Sequence, residues 1–340
     1  MTVQASNLES EQLPDPTGAP EGDLAKIAGQ SPTRLAIGRF RKDRLSMVSF
    51  VIVALYVLVG VAAPFLVHFG VLDPFTLHNQ GDDTLLNADT LPLGSWGGVS
   101  SSHPLGVEPG TGRDVLSRLV YGVTFSLAIA MSATIIAIVV GTVLGIISGF
   151  SGGWVDSIIG RAIDLTLSFP QTLMLLALSS MGVALVAKYV PGDPSDPFPN
   201  AIYVILVLGL FGWPAIARVI RGQVLSVRER EFVDAAVLVG ASRYRIYFKE
   251  ILPNLWAPLL VTFTLIMPAY ISAEAALSYL NVGIHPPTPT LGNILRSSIS
   301  YSSADFLFFF APAFLIMVIV VSFNLLGDGI RDALDPKAAR

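Results

Sequence analysis

The sequence predicts an all-α polytopic membrane protein of six spans. The 340-residue chain is 52% hydrophobic and only 14% charged, whereas a water-soluble domain carries roughly 25% charged residues. Its mean hydropathy is +0.64. Six near-uncharged apolar runs, each about 20 residues long and so able to cross a bilayer as a helix, alternate with polar stretches.

In chain order, residues 1–30 are polar and acidic, with several Pro and Gly. They lack the apolar core of a secretory signal peptide and the apolar surface that would offset ordering, so a disordered tail is expected. Residues 31–68 hold a basic approach (Arg34, Arg39, Arg41, Lys42, Arg44) and the first span, about Leu45 to Val67. Residues 69–120 form a polar loop. Asp114 suits the N-cap of a short helix with Val115, Leu116, Leu119 and Val120 along one side. The remaining spans fill a core over 121–328, followed by a tail over 329–340. The second span runs from about Phe125 to Ile147, and the glycines of SGGWVDSIIGR end it in a short turn. The third is expected over Ile163 to Val186, kinked at Pro170, and a proline-rich loop spans Pro191 to Asn200. The fourth, about Ala201 to Ile220, contains Pro214. The fifth and sixth run from about Leu259 to Leu280 and from Phe306 to Leu326.

Charge sets the orientation. With the N-terminus in the cytosol, all of the 21 Lys and Arg residues except Arg113, Arg118, Lys188 and Arg296 fall on the cytosolic side. Cytosolic loops carry such an excess. Both termini are therefore expected inside, and all four histidines at or beyond the outer face.

The longest cytosolic connection, Arg221 to Pro258, is too long for a simple link. Glu229 to Val239 reads as a helix with Phe232, Ala235, Ala236 and Val239 sharing a face. Gly240 suits the left-handed residue that closes it, Ser242 the N-cap of a second helix from Arg243 to Ile251, and Leu252-Pro253 a stop. Small residues at the centre of an exposed helix allow close approach by a partner. The same pattern also fits a helical hairpin lying on the membrane surface.

Other features weigh less. With no cysteine, disulfide, thiolate-metal and thiol-nucleophile chemistry is excluded. No G-x-x-x-x-G-K-[ST] phosphate loop occurs, and the histidines lack metal-ligand spacing on any one helix, so neither cofactor nor metal is expected. No serine motif supports an intramembrane hydrolase. Gly141, Gly145 and Gly149, spaced four apart, suit close helix packing, at a contact with a second subunit or as ordinary membrane-helix glycines. Arg161 and Asp164 read as a local pair. Glu274, inside the fifth span, is either a pathway residue or, on the favoured reading, a structural hydrogen-bonding group.

The island FVDAAVLVGASRYRIYFKEILPN resembles the "EAA" motif of bacterial ABC importer permeases, with Asp234-Ala235-Ala236 as triplet, then Gly240 and Leu252-Pro253. Asp234 stands where the motif has Glu, one methylene longer. HPLGVEPGTGRDVLSRLVYGVTFSL (His103 to Leu127) is similar to the outer-loop signature of dipeptide and oligopeptide permeases. Its signature residues here are His103, Pro104, Leu105, Gly106, Gly112, Arg113 and Asp114. GGWVDSIIGRAIDLTLSFP, EAALSYLNVGIHPPTPTLGNIL and NLLGDGIRDALDPK resemble that family too. The likeness runs from about residue 31 to the C-terminus and is strongest to the C-type subunit.

The resemblance implies the type I ABC importer permease fold, with coupling helices over 226–253, in a bacterial plasma membrane. It implies a pore shared with a homologous second permease, two cytosolic ATPases that hydrolyse ATP in this chain's stead, an extracytoplasmic binding protein and a peptide substrate. No nucleic-acid partner is implied. The ATPase-docking residues would be Phe232, Asp234, Ala235, Ala236, Gly240, Ala241, Ser242, Arg245, Leu252 and Pro253. A nickel-chelate or other small-ligand importer and a non-transporting scaffold are the alternatives.

Overall fold

A computed structural model describes residues 32–81, 84–190 and 197–334. The expected tail over 1–30 and most of the proline-rich loop lie outside these. Eleven helices are present among the described residues: α1 (Pro32–Lys42), α2 (Arg44–His68), α3 (Val115–Ser151), α4 (Gly153–Ser168), α5 (Gln171–Ala177), α6 (Ser179–Tyr189), α7 (Phe198–Val227), α8 (Glu231–Leu238), α9 (Arg243–Tyr279), α10 (Leu291–Ile299) and α11 (Phe306–Leu334). Five of them (α2, α3, α7, α9, α11) are long and apolar enough to cross a membrane. The broken pair α5–α6 makes up to a sixth.

The bundle is built on α3 and α7, which run parallel and touch along most of their length. Gly141, Gly145 and Gly149 face Ile216, Ile220 and Val224, one glycine to each branched side chain. A β-carbon on these glycines would lie 2.7, 2.9 and 2.8 Å from the opposing Cβ atoms. Gly209 of α7 returns the arrangement against Ile136. Of the two readings the sequence left open, the glycine row takes the one within the chain: it packs α3 on α7. Helices α9, α11 and α2 complete the layer around this pair.

One end of the bundle gathers α1, the start of α2, the ends of α3, α7 and α11, and α8. There Gly329 packs on Ser46 and Phe40, and Arg228 Nη1 donates to Gly149 O at 3.0 Å. The opposite end holds the 69–114 segment, α10 and the start of α11.

Several local expectations change. No break separates Asp114 from the second span: α3 is one 37-residue helix. Nothing in Val115–Phe125 interrupts it, and Gly122 is used for close approach to Thr290 and Leu291. The expected SGGWVDSIIGR turn is only Gly152-Gly153, both with positive φ, and the rest is α4. The third span is not a kinked helix: α4 stops at Ser168, and α5 and α6 meet at 63°. Asp164 pairs with Arg218 of α7 at 2.8 Å, not with Arg161. Leu252-Pro253 does not stop the chain. Helix α9 passes from α-winding through a π-wound stretch, Ile246–Ile251, and a 3₁₀ turn, Leu252–Leu255, into the fifth span. Pro253 sits in the first positions of that turn, where its missing N–H costs little. The supposed tail from 329 is still α11 as far as Leu334.

Candidate functional site

The hairpin of α8 and the first turns of α9 stands at the end of the bundle that holds α1. Gly240 has φ +80°. The Ala241 N–H reaches Ala236 O (3.0 Å) and the Gly240 N–H reaches Val237 O (2.9 Å). These two bonds are a Schellman closure, which satisfies carbonyls at the end of α8. Ser242 Oγ then accepts from the Arg245 N–H (3.3 Å) and caps α9.

The two limbs are rooted in the bundle. Val233 is buried, and Ala236, Ala241, Tyr247 and Leu252 pack on the core. The Tyr247 ring meets Phe150 edge to face at 5.3 Å, and its hydroxyl lies 3.1 Å from Ser151 Oγ at the end of α3. A cavity of about 420 Å³ between Phe150, Arg228, Glu229, Val233, Asp234 and Val237 opens beside α8. Asp234 is thus at an open polar mouth, and Arg245 faces Glu250 loosely at 3.9 Å. Phe232 and Ala235 are exposed, as are Gly240, Ser242 and Pro253.

The expected shared face is not one surface. Ala236 turns toward the core and Ala235 outward. Leu238 and Val239 at the tip, 87% and 88% exposed, are the most exposed apolar groups of the hairpin. Sequence reasoning passed over Leu238. The signal for it was available: it falls just before the closing glycine, opposite the buried Val233.

A polar network lies beneath the hairpin. Arg221 Nε and Nη2 each donate to Asp156 at 2.6 Å, and Ser148 donates to the same carboxylate. The Arg221 contact dominates and holds the Asp156 carboxyl down to about 2.

The outer-loop signature folds as a cap on the start of α3. Asp114 accepts from the Ser117 N–H (2.7 Å) as N-cap and lies 3.0 Å from His103 Nδ1. Gly106 and Gly112 have positive φ and press against Gly97 O and His78 O, where a β-carbon has no room. Pro104 is exposed, Leu105 packs on the core, and Arg113 Nε is enclosed without a partner. Two residues outside the predicted site hold the cap. Arg118 is buried, lies 3.3 Å from Glu108, and reaches Pro74 O and Pro287 O at 3.3 Å each. Its position among the few basic residues on the outer side was the available signal.

Glu274 is also buried. Its two oxygens accept from Ser126 and Ser278 at 2.8 Å each, and Ser126 Oγ accepts from the Leu291 N–H at 3.2 Å. The carboxyl therefore ties α3, α9 and α10 together and faces no opening.

Residues 141–340 match the family described as binding-protein-dependent transport system inner membrane component. The chain belongs to this family. Residues 31–88 match the N-terminal transmembrane domain of oligopeptide transport permease C. Among similar proteins, the oligopeptide transport system permease protein OppC of Bacillus subtilis is 33% identical over 326 residues, 95% of this chain and 96% of that one. The dipeptide transport system permease protein DppC of Alkalihalophilus pseudofirmus is 35% identical over 325 residues, 95% of each. Among solved structures, an inward-facing MetNI methionine ABC transporter covers 65% of this chain and 97% of its own, at 20% identity and a TM-score of 0.47. The family match and the two relatives make the chain a multi-pass permease of the ABC importer class, with five spanning helices among the described residues, or six if the broken pair α5–α6 is one span.

Proposed function

We propose that the chain is the C-type permease subunit of an ATP-driven importer for short peptides in a bacterial plasma membrane. The observation that carries this reading is the Schellman-closed hairpin, rooted in the bundle but presenting Phe232, Ala235, Leu238 and Val239 outward. The peptide transport named for the two curated relatives supports the substrate class. The excess of basic residues puts this end, with both termini, in the cytosol. Two ATPases dock there, a homologous permease completes the pore, and a binding protein delivers peptide at the opposite cap.

The coupling route follows from continuity. The second limb of the hairpin is the same helix as the fifth span, so a shift at Ser242 is a shift of α9. Tyr247 and Arg228 carry it to the end of α3 through Ser151 and Gly149 O. ATP binding and release thereby bias a bistable pore.

Proteoliposomes with this chain, its partner permease, the ATPases and the binding protein test the reading. ATP-dependent uptake of trialanine is expected. Uptake without ATP dependence overturns the importer. Uptake of nickel chelates but not of peptides overturns the substrate class. ATPase binding with no uptake of either is the scaffold outcome.

A further inference from the structure

The third span is interrupted where a lipid-facing helix cannot be. Two bonds fix the depth of the interruption against α7. Asp164 is level with Arg218 through their 2.8 Å pair. Leu175 O is level with Tyr203, whose hydroxyl donates to it at 2.7 Å. Phe169 and Pro170 lie between these levels, near the middle of a helix that spans Phe198–Val227.

The backbone there is not helical. The Phe169 N–H turns back to Thr166 O at 3.4 Å, Pro170 has no N–H to give, and α5 begins without a side-chain cap. The last carbonyls of α4 are thus short of helical donors. Gln171 Nε2 is enclosed with no acceptor. Hydrocarbon offers no replacement for these bonds, so irregular backbone at membrane depth occurs only within protein or along a watered cavity. In transporters such discontinuous helices line the substrate site. Yet Phe169, Pro170, Thr172 and Leu173 are exposed. Of the residues around the break, only Leu175 is buried against the chain.

We infer that the segment Phe169–Leu173 lines the translocation pathway and meets the backbone of the passing peptide. The peptide class rests on the importer reading above. Peptides of varied sequence share only their backbone, and a non-selective contact pairs peptide groups with hydrogen-bonding groups set among apolar side chains. The unspent carbonyls at the end of α4 and the Gln171 amide, next to the exposed Phe169 and Leu173, provide that combination. Beside the break and without an acceptor in the chain, the Gln171 amide is the spare donor of this segment.

The chain has no cysteine of its own, so single cysteines report directly. Phe169→Cys, Gln171→Cys and, as the lipid-facing control, Leu58→Cys are assembled into the complete importer in proteoliposomes. Each is exposed to a charged, membrane-impermeant thiol reagent without nucleotide, with ATP and after vanadate trapping. Modification of 169 and 171 in at least one state, none at 58, and loss of modification at 169 when trialanine and the binding protein are added are expected. Absence of modification at 169 and 171 in every state overturns the placement and shows the break covered by the partner permease. Modification that trialanine does not slow overturns the peptide contact. Trialanine uptake by the unmodified importer is measured alongside. Its absence counts against the importer reading, whereas the labelling without substrate judges the pathway placement by itself.

Discussion

Arg221 grips Asp156 with two nitrogens, Nε and Nη2, each 2.6 Å from a carboxylate oxygen. The pair joins the end of α7 to the first turn of α4 directly beneath the hairpin. Bidentate geometry makes it stronger than the ordinary surface pair. Asp156 sits at about 2 in the folded protein against an ordinary 3.8. A depressed carboxyl contributes stability that is complete above the ordinary value and lost as pH falls toward the folded one. Thermal unfolding of the detergent-solubilised protein should therefore show an acid-induced loss between pH 4 and about 2 that is absent in Asp156→Asn. Because Arg221 is partly solvated, the substitution should cost about 1 kcal/mol at neutral pH. Equal acid sensitivity in both proteins would remove the pair from the account.

The glycine row on α3 predicts a second stability effect. Gly145→Val puts its β-carbon 2.8 Å from Ala217 O and 2.9 Å from Ile220 Cβ. Backbone on one side and a branched side chain on the other leave no easy relief. A loss of about 1–3 kcal/mol is expected, typical of overpacking. Gly222→Ala, on α7 with nothing within 4 Å of the added carbon, serves as control and should be neutral or stabilising. Melting temperatures of the two variants decide it; equal values would mean α3 and α7 do not touch as described.

The docking hairpin makes a prediction that separates folding from coupling. Gly240 has open space around it, so only its positive φ resists substitution. Gly240→Ala should weaken the turn by about 1–2 kcal/mol. Gly240→Pro should destroy it, since proline cannot adopt that φ. Ala235→Glu places a charge on the exposed side of α8 without touching the core. Both Gly240→Pro and Ala235→Glu should insert into membranes normally and lose ATP-driven uptake. ATPase co-purification is the readout, and normal association after both changes sinks the docking assignment.

Much of this was legible in the sequence, for reasons tied to particular residues. Span lengths follow from hydrophobic runs, so α2 and α9 end near where the apolar residues do. Gly240 and Ser242 have local, nearly obligatory turn chemistry, so the hairpin closure is readable. What failed is what depends on a distant partner. Pro170 looked like a kink because the sequence does not show that α4 stops at Ser168 and a new helix starts at Gln171. Pro253 looked like a stop because the sequence does not show the π-wound stretch and the 3₁₀ turn, with Pro253 in its first positions, that lead the chain on into the fifth span. The glycine row has a motif but no address until Ile216, Ile220 and Val224 are seen opposite. Asp164 chose Arg218 over its neighbour Arg161 because α7 crosses there, which no spacing rule contains.

Glu274 supplies the last prediction, since its two readings diverge under one substitution. Buried, with hydroxyls of Ser126 and Ser278 donating to its two oxygens, it holds α3, α9 and α10 through uncharged partners. If that knot is its whole role, shape and acceptor capacity matter and negative charge does not. Glu274→Gln keeps one acceptor oxygen, and the serine facing the new NH₂ can rotate to accept instead. Uptake and melting temperature should then stay close to the parent. Glu274→Ala leaves the Ser126 and Ser278 hydroxyls without the acceptor for their protons, beside a cavity, and should cost about 2–4 kcal/mol by adding lost hydrogen bonds to lost packing. A pathway residue meeting a substrate's amino group behaves oppositely: Glu274→Gln would abolish uptake while leaving the melt unchanged. Measuring both quantities on the two variants separates the roles, because the structural role moves stability with Ala and the pathway role moves transport with Gln.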